Sequence, residues 1–309
     1  MAPTERPGEA VARAEMMLRT YDHLGYAALN VGLNDLALGL ADLRRLTKVH
    51  KVALVSANLF DTKTGKPAFL RTFVKQVGPL KVGVFGLMSD SPPELGKYVL
   101  DQGLELHAPG QAARDAVAEL QTQQCDVIIA LTQLRRMELE RVLTDVKGIT
   151  VALGSTDMEL SNQLTRVGSG WWADAYTKGK YLGELKIEVR ADKRNVFPAK
   201  LKASLMSERA LLAQQVMSLQ SQLEGANKPD SPLQLNDETR KMMESQLAST
   251  RARMQLVSMQ LDDAVTTPQG ATTMDLQMSA LGSDIVDDPV VDGWVKKFQE
   301  KFPKVGTGH

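Results

Sequence analysis

Hydrophobic residues in the first 190 positions alternate between strand-like runs and helix-like spacing. Residues 9–24 carry apolar side chains at near-helical intervals and stop at Gly25, a residue type that often ends helices. Nearly continuous apolar runs predict strands at 26–31, 52–57, 82–87, 127–131 and 149–153, and helical spacing recurs at 109–123. Strands that are apolar at almost every position, with helices between them, are typical of a sheet covered on both faces.

Two further segments indicate that this sheet is mixed. Phe69–Val77 and Lys81–Leu87 are joined by Gly78-Pro79, which predicts a β-hairpin. Tyr181–Val189 alternates apolar and polar residues and predicts a closing strand with one polar face. The expected fold class is therefore α/β, with a mixed sheet layered with helices.

The pattern changes near residue 200 to a heptad stripe on two helical segments. Gly225–Asn236 contains Pro229 and Pro232, predicts a loop between the segments, and makes Asn236 or Asp237 a plausible helix cap. This is the pattern of an antiparallel helical hairpin with a coiled-coil seam. The seam either packs inside the chain or contacts a protein partner or a second copy. Its interface candidates are Leu212, Val216, Leu219, Leu223, Leu247, Met254, Val257 and Leu261.

These changes divide the chain into three predicted regions. They are an α/β domain at 8–195, the helical hairpin at 200–265, and an irregular tail at 266–309 that carries a short amphipathic helix around Trp294 and Phe298.

Composition excludes several functions. Lys plus Arg and Asp plus Glu balance at 37 each, so no bulk charge favours nucleic acid. The single cysteine, Cys125, permits no intramolecular disulfide or Cys-x-x-Cys motif and is predicted to be a small buried residue. No apolar run reaches the roughly 18 residues of a membrane span.

Several segments, in order along the chain, resemble the catalytic domain of the 5′-nucleotidase branch of the calcineurin-like metallophosphoesterases. Leu24–Gly32 is similar to the segment before that family's Gly-Asn-His-Glu motif, and Val55–Asn58 to its Ser-Ala-Asn strand end. Lys81–Leu87, Asp126–Thr132, Gly148–Gly154 and Lys178–Leu185 are similar to its later strands. The resemblance implies the family's fold over about residues 10–190, without the family's first strands, whose Asp-x-His and Gly-Asp motifs should precede residue 10.

The resemblance also implies where a two-metal centre would lie, and there this chain departs from the family pattern. Leu33, Asn34 and Asp35 fall on the Asn-His-Glu of Gly-Asn-His-Glu, and Gln133 falls on the histidine of Ser-His. Ser155, Thr156 and Asp157, before Met158, fall on Gly-His-x-His. Imidazole and carboxylate ligands are what two cations need, so we expect no catalytic residue, metal or cofactor here. Asn34 and Asp35 are expected to cap a helix instead.

The sequence thus predicts a catalytically inactive 5′-nucleotidase-like domain that binds a protein partner or a second copy through its hairpin. The alternative is a phosphoester hydrolase that uses Asp35 and Asp157 in an altered metal site. The resemblance implies a periplasmic or cell-surface location. Trp171 and Trp172, in the glycine-rich stretch from Gly168, are either structural aromatics of a turn or exposed residues of a recognition loop.

Overall fold

The computed structural model describes residues 8–157, 159–190, 192–199, 201–226, 236–262 and 270–303. The chain divides into two compact units, one running to Leu185 and resuming at Leu276, the other Lys186–Asp275. The unit boundaries therefore differ from the predicted domains, since the tail is grouped with the α/β part. Most of the predicted loop at 225–236 and the predicted boundary at 265–266 lie outside the described residues.

A six-stranded mixed sheet forms the centre of the first unit, as the sequence predicted, although the predicted strands at 26–31, 52–57 and Tyr181–Val189 pair in other sheets. Its order is β4-β5-β7-β8-β10-β9, in which the pairs from β5 to β10 are parallel and the two outer pairs, β4–β5 and β9–β10, are antiparallel. The strands are β4 (Thr72–Val77), β5 (Leu80–Met88), β7 (Val127–Gln133), β8 (Val151–Leu153), β9 (Thr165–Val167) and β10 (Gly170–Ala173).

Two smaller sheets complete the strands of this part of the chain. β1 (Ala28–Asn30) pairs in parallel with β2 (Ala53–Val55), and β3 (Leu59–Asp61) pairs antiparallel with β6 (Leu104–Leu106). The helices are α1 (Glu9–His23), α2 (Leu33–Leu36), α3 (Leu40–Val49), α4 (Pro93–Asp101), α5 (Pro109–Thr122), α6 (Arg136–Asp145) and α9 (Pro289–Lys301).

Two hydrophobic clusters hold these elements together. The first joins the central sheet to α5 and α6 and includes Phe85, Leu120 and Leu139, each fully buried. The second joins α1 to α4 with the small sheets and includes Leu46, Leu59 and Leu104. Cys125 is buried in the first cluster, as predicted, and burial raises the pKa of its thiol.

The second unit contains the predicted helical hairpin, α7 (Leu201–Ala226) packed against α8 (Asp237–Asp262). A three-stranded sheet has the order β11-β13-β12, with strands Tyr181–Glu188, Ala271–Ala280 and Asp192–Pro198 respectively. The prediction that the tail at 266–309 is irregular is wrong over Ala271–Ala280, which forms β13. Thr272 and Met274 alternate as buried residues there, which is the periodicity of a strand.

Of the two alternatives for Trp171 and Trp172, the exposed recognition loop is wrong. Both lie in β10, pair with Val151 and Ala152 of β8, and are 4% and 2% exposed. Gly168 and Gly170 occur here because the backbone approaches other backbone closely: a Cβ on Gly170 would lie 2.8 Å from the carbonyl oxygen of Ile149. The two tryptophans are therefore core residues, which removes them as interface candidates.

Candidate functional site

The substituted ligand positions converge at one edge of the first unit. Gly32 follows β1, Gln133 ends β7, and Gly154 follows β8, so three loops leave the carboxyl ends of strands together. Ligands of open α/β sheets bind at this kind of edge. The resemblance to the family therefore identified residues that the fold does bring together.

Gln133 links two of these loops. Its Oε1 accepts a hydrogen bond from the backbone N–H of Leu33 at 2.9 Å. A Cβ on Gly32 would lie 2.7 Å from the same oxygen, so the glycine makes room for the amide. The side chain at the histidine position thus holds the β1–α2 loop against the end of β7.

Asp35 closes its own loop. Its Oδ2 accepts a hydrogen bond from the backbone N–H of Gly32 at 2.8 Å, as the acidic residue of a capping box does. Removal of the carboxylate from solvent raises the pKa of Asp35, and the Gly32 hydrogen bond opposes this shift. Of the two expected capping residues, Asp35 caps α2 from the third helical position, whereas Asn34 lies within the helix and Gly32 occupies the N-cap position.

The third loop is held by a residue that the sequence did not single out. Ser155 Oγ donates a hydrogen bond to Asp174 Oδ2 at 2.6 Å and accepts one from the backbone N–H of Asp157 at 3.2 Å. Asp174 follows β10, is 5% exposed, and has a pKa raised chiefly by burial. No sequence signal marked Asp174, because the strand that it follows, β10, was not predicted.

The carboxylate of Asp157 likewise accepts a hydrogen bond from within the chain. The backbone N–H of Arg136, at the start of α6, donates to Asp157 Oδ2, and the backbone N–H of Thr156 donates to the carbonyl oxygen of Leu134 at 2.9 Å. Asp157 therefore contributes to the first turn of α6. Met158, the last position of this motif, lies outside the described residues.

These residues do not fit a two-metal centre. Across the described parts of the chain, no group of three or more His, Cys, Asp or Glu side chains is placed to hold a metal ion. Leu33 has no donor atom, and the oxygens of Gln133, Asp35 and Asp157 bond to backbone N–H groups. We therefore derive no metal-dependent step for these side chains.

A cleft of about 780 Å³ lies at the same edge, and we call it the strand-end cleft. It is lined by four of the substituted positions, Leu33, Asn34, Gln133 and Thr156, and by residues that follow β5 and begin α4 and α6. Its volume is that of a typical small-molecule site.

The hairpin seam is internal. Val257 is fully buried and Val216 is 7% exposed, and the other six interface candidates, Leu212, Leu219, Leu223, Leu247, Met254 and Leu261, are half-buried. Contact between α7 and α8 explains this burial, and the Glu208–Arg253 ion pair joins the same two helices at 2.8 Å. The seam therefore joins the hairpin's own helices, and a partner surface has to lie on their outer sides.

Comparisons with known proteins found relatives of this chain both in sequence and in fold. No family model matches the chain. Protein UshA of Escherichia coli K12 is 30% identical over 129 residues, 41% of this chain and 24% of UshA. This chain thus spans about a quarter of the length of the curated relatives it matches. No described helix is long and apolar enough to cross a membrane.

Solved structures share the fold. A 5′-nucleotidase precursor from Thermus thermophilus superposes with a TM-score of 0.51, at 20% identity, over 59% of this chain and 39% of that one. The sulfate thiohydrolase SoxB of Thermus thermophilus superposes with the same score, at 19% identity, over 58% and 33%. Together with the sequence relatives, these structures confirm the predicted resemblance: this chain is similar to proteins of the 5′-nucleotidase branch of the calcineurin-like metallophosphoesterases.

Proposed function

We propose that the chain is a catalytically inactive 5′-nucleotidase-like domain that acts as a binding and assembly module through its helical hairpin. The proposed inactivity is supported by one observation: the side chains of Gln133, Asp35 and Asp157 accept hydrogen bonds from backbone N–H groups. A metal would have to compete with these bonds and leave the N–H groups unpaired. The extracytoplasmic location implied by the resemblance is part of the same proposal.

The outer sides of the helical hairpin support the proposed binding and assembly role. Large apolar side chains are exposed there by more than half of their surface, and four of the six are methionines, whose flexible thioethers adapt to varied partners. They are Met206, Leu211, Met217, Met242, Leu256 and Met259.

Metal content tests the inactivity. The full chain is purified without chelator, dialysed against Mn²⁺ and Zn²⁺, and measured by elemental mass spectrometry, alongside hydrolysis of 5′-AMP. We expect substoichiometric metal and no turnover. A stoichiometric pair of metals that is lost in Asp35→Ala and Asp157→Ala would overturn the proposal.

That outcome would favour a hydrolase with an altered metal site. Two observations speak for this second function: the sequence relatives include proteins named 5′-nucleotidase, and two carboxylates, Asp35 of α2 and Asp157 after β8, lie in segments that follow the carboxyl ends of strands. Hard cations accept few protein oxygens together with waters. Turnover that is unchanged in both alanine variants would contradict this use of the two aspartates.

Sedimentation velocity tests the assembly. We expect the wild-type chain to self-associate and Met217→Glu to reduce association without loss of helix signal. Glu244→Gln, a neutral change at an exposed position of α8, serves as the control. A wild-type chain that sediments as a monomer at every concentration would contradict assembly with a second copy.

A further inference from the structure

The strand-end cleft has the composition of a site for an organic molecule. Six of its lining residues are apolar or aromatic, and they come from the end of β5 and from the loops and helices that follow β1 and β5. They are Leu33, Ala37, Met88, Pro92, Leu95 and Tyr98. Small-molecule sites are typically apolar cavities with a few placed polar groups, so the walls favour a ligand with an apolar body.

One cation lies in this lining without an acidic partner. Arg136 pairs with Glu140 at 2.7 Å and with Glu159 at 3.4 Å, whereas Arg135 forms no ion pair among the described residues. The backbone of Arg135 is fixed, since its N–H donates to Glu138 Oε2 at 2.8 Å. Arg135 thus lines the cleft on a fixed backbone, and its exposed guanidinium can pair with an anion from solution.

The charges around the cleft decide which anion fits. Arg135 is the single basic residue among the lining residues, and Glu94 of α4 contributes a carboxylate to the same lining. A phosphate dianion usually needs several cations or a metal, and Glu94 would repel its second charge. A carboxylate carries one charge and matches a guanidinium in a two-bond pair.

We propose that the strand-end cleft binds a carboxylic acid with an apolar body, in the absence of metal, through an ion pair with Arg135. This inference rests on the part of the proposed function that leaves the cleft without metals. It does not depend on the hairpin. A ligand of this kind would fill the space between the loops that carry the substituted positions.

Calorimetric titration of the full chain with octanoate, below its micellar concentration and with EDTA present, tests the proposal. Octanoate should bind, and Arg135→Gln should weaken it by about tenfold or more, the usual effect of losing a charge-assisted pair. Arg141→Gln, on an exposed part of the same helix, should leave binding unchanged. Ala37→Trp, which fills an exposed position of the lining, should block binding without loss of the core.

Four results would overturn the proposal. They are no octanoate binding, equal binding of octanoate and 1-octanol, inorganic phosphate binding more tightly than octanoate, and an unchanged octanoate affinity in Arg135→Gln. Because EDTA removes divalent metals, these results are independent of the metal content measured for the proposed function. Failure of one proposal can therefore be told from failure of the other.

Discussion

The Oε1 atom of Gln133 accepts a hydrogen bond from the backbone N–H of Leu33, 100 residues earlier in the chain, at 2.9 Å. Both residues occupy positions where the resemblance implies metal ligands. In this chain a hydrogen bond between a side-chain amide and the backbone joins these two positions directly. This bond supports the proposal that structural hydrogen bonds take the place of metal ligands here.

Loss of this amide should loosen the β1–α2 loop. Gln133→Ala leaves the partly buried N–H of Leu33 without its acceptor, which should lower the free energy of unfolding by about 1 kcal/mol. Urea denaturation followed by circular dichroism measures the change. Gln299→Ala, at an exposed position of α9, should change stability by much less. Equal effects of the two substitutions would show that the Gln133 amide has no special role.

Asp174 should make stability depend on pH. Because burial raises its pKa in the folded state, the folded chain holds its proton more tightly than the unfolded chain does. This contribution is fully present below the unfolded value of about 4 and is lost as pH rises through the raised pKa. Asp174→Asn can still accept the Ser155 hydrogen bond but does not titrate, so its stability relative to wild type should increase as pH rises.

Urea unfolding of both chains at several pH values from the acid range to neutrality measures this difference. Asp145→Asn, at an exposed position of α6, provides the control. A difference between wild type and Asp174→Asn that does not change with pH would contradict the coupling of Asp174 to folding.

Local signals predicted the parts of the fold whose partners are close in sequence. The β4–β5 hairpin was predicted because Gly78-Pro79 separates two apolar runs, and Val77 pairs with Leu80 across that turn. The heptad stripe predicted α7 and α8 from equally local information, because the spacing of apolar residues along a helix shows which side chains lie on the same face.

Features that depend on distant partners were missed. Trp171 follows two glycines and resembles a loop residue, but pairing with Val151 places it in the sheet. Thr272 is polar and did not suggest a buried strand, yet it is fully buried where β13 pairs with β12. The positions around the strand-end cleft were predicted from the resemblance, whereas the structural role of Asp174 became visible only when β8 and β10 were adjacent.

The internal seam of the hairpin predicts opposite effects at two neighbouring positions of α8. Val257 is fully buried and Met259 is 57% exposed. Val257→Ala should destabilise the hairpin by about 2 kcal/mol because it opens a cavity, and Met259→Ala should change stability by less than about 0.5 kcal/mol. Thermal unfolding followed at the helical band measures both. Comparable losses in the two variants would contradict an internal seam.

The turn between β9 and β10 should tolerate no side chain at Gly168. Gly168 and Gly179 both have positive φ, at 55° and 63°, so alanine at either position carries a backbone cost of about 1 kcal/mol. A Cβ on Gly168 would also clash with the backbone carbonyl of Leu143, whereas a Cβ on Gly179 meets nothing within 4 Å. Gly168→Ala should therefore lower the free energy of unfolding by about 1–3 kcal/mol more than Gly179→Ala. The denaturant midpoints of the two variants measure this excess. Equal midpoints would mean that the backbone of Leu143 in α6 does not contact this turn in solution.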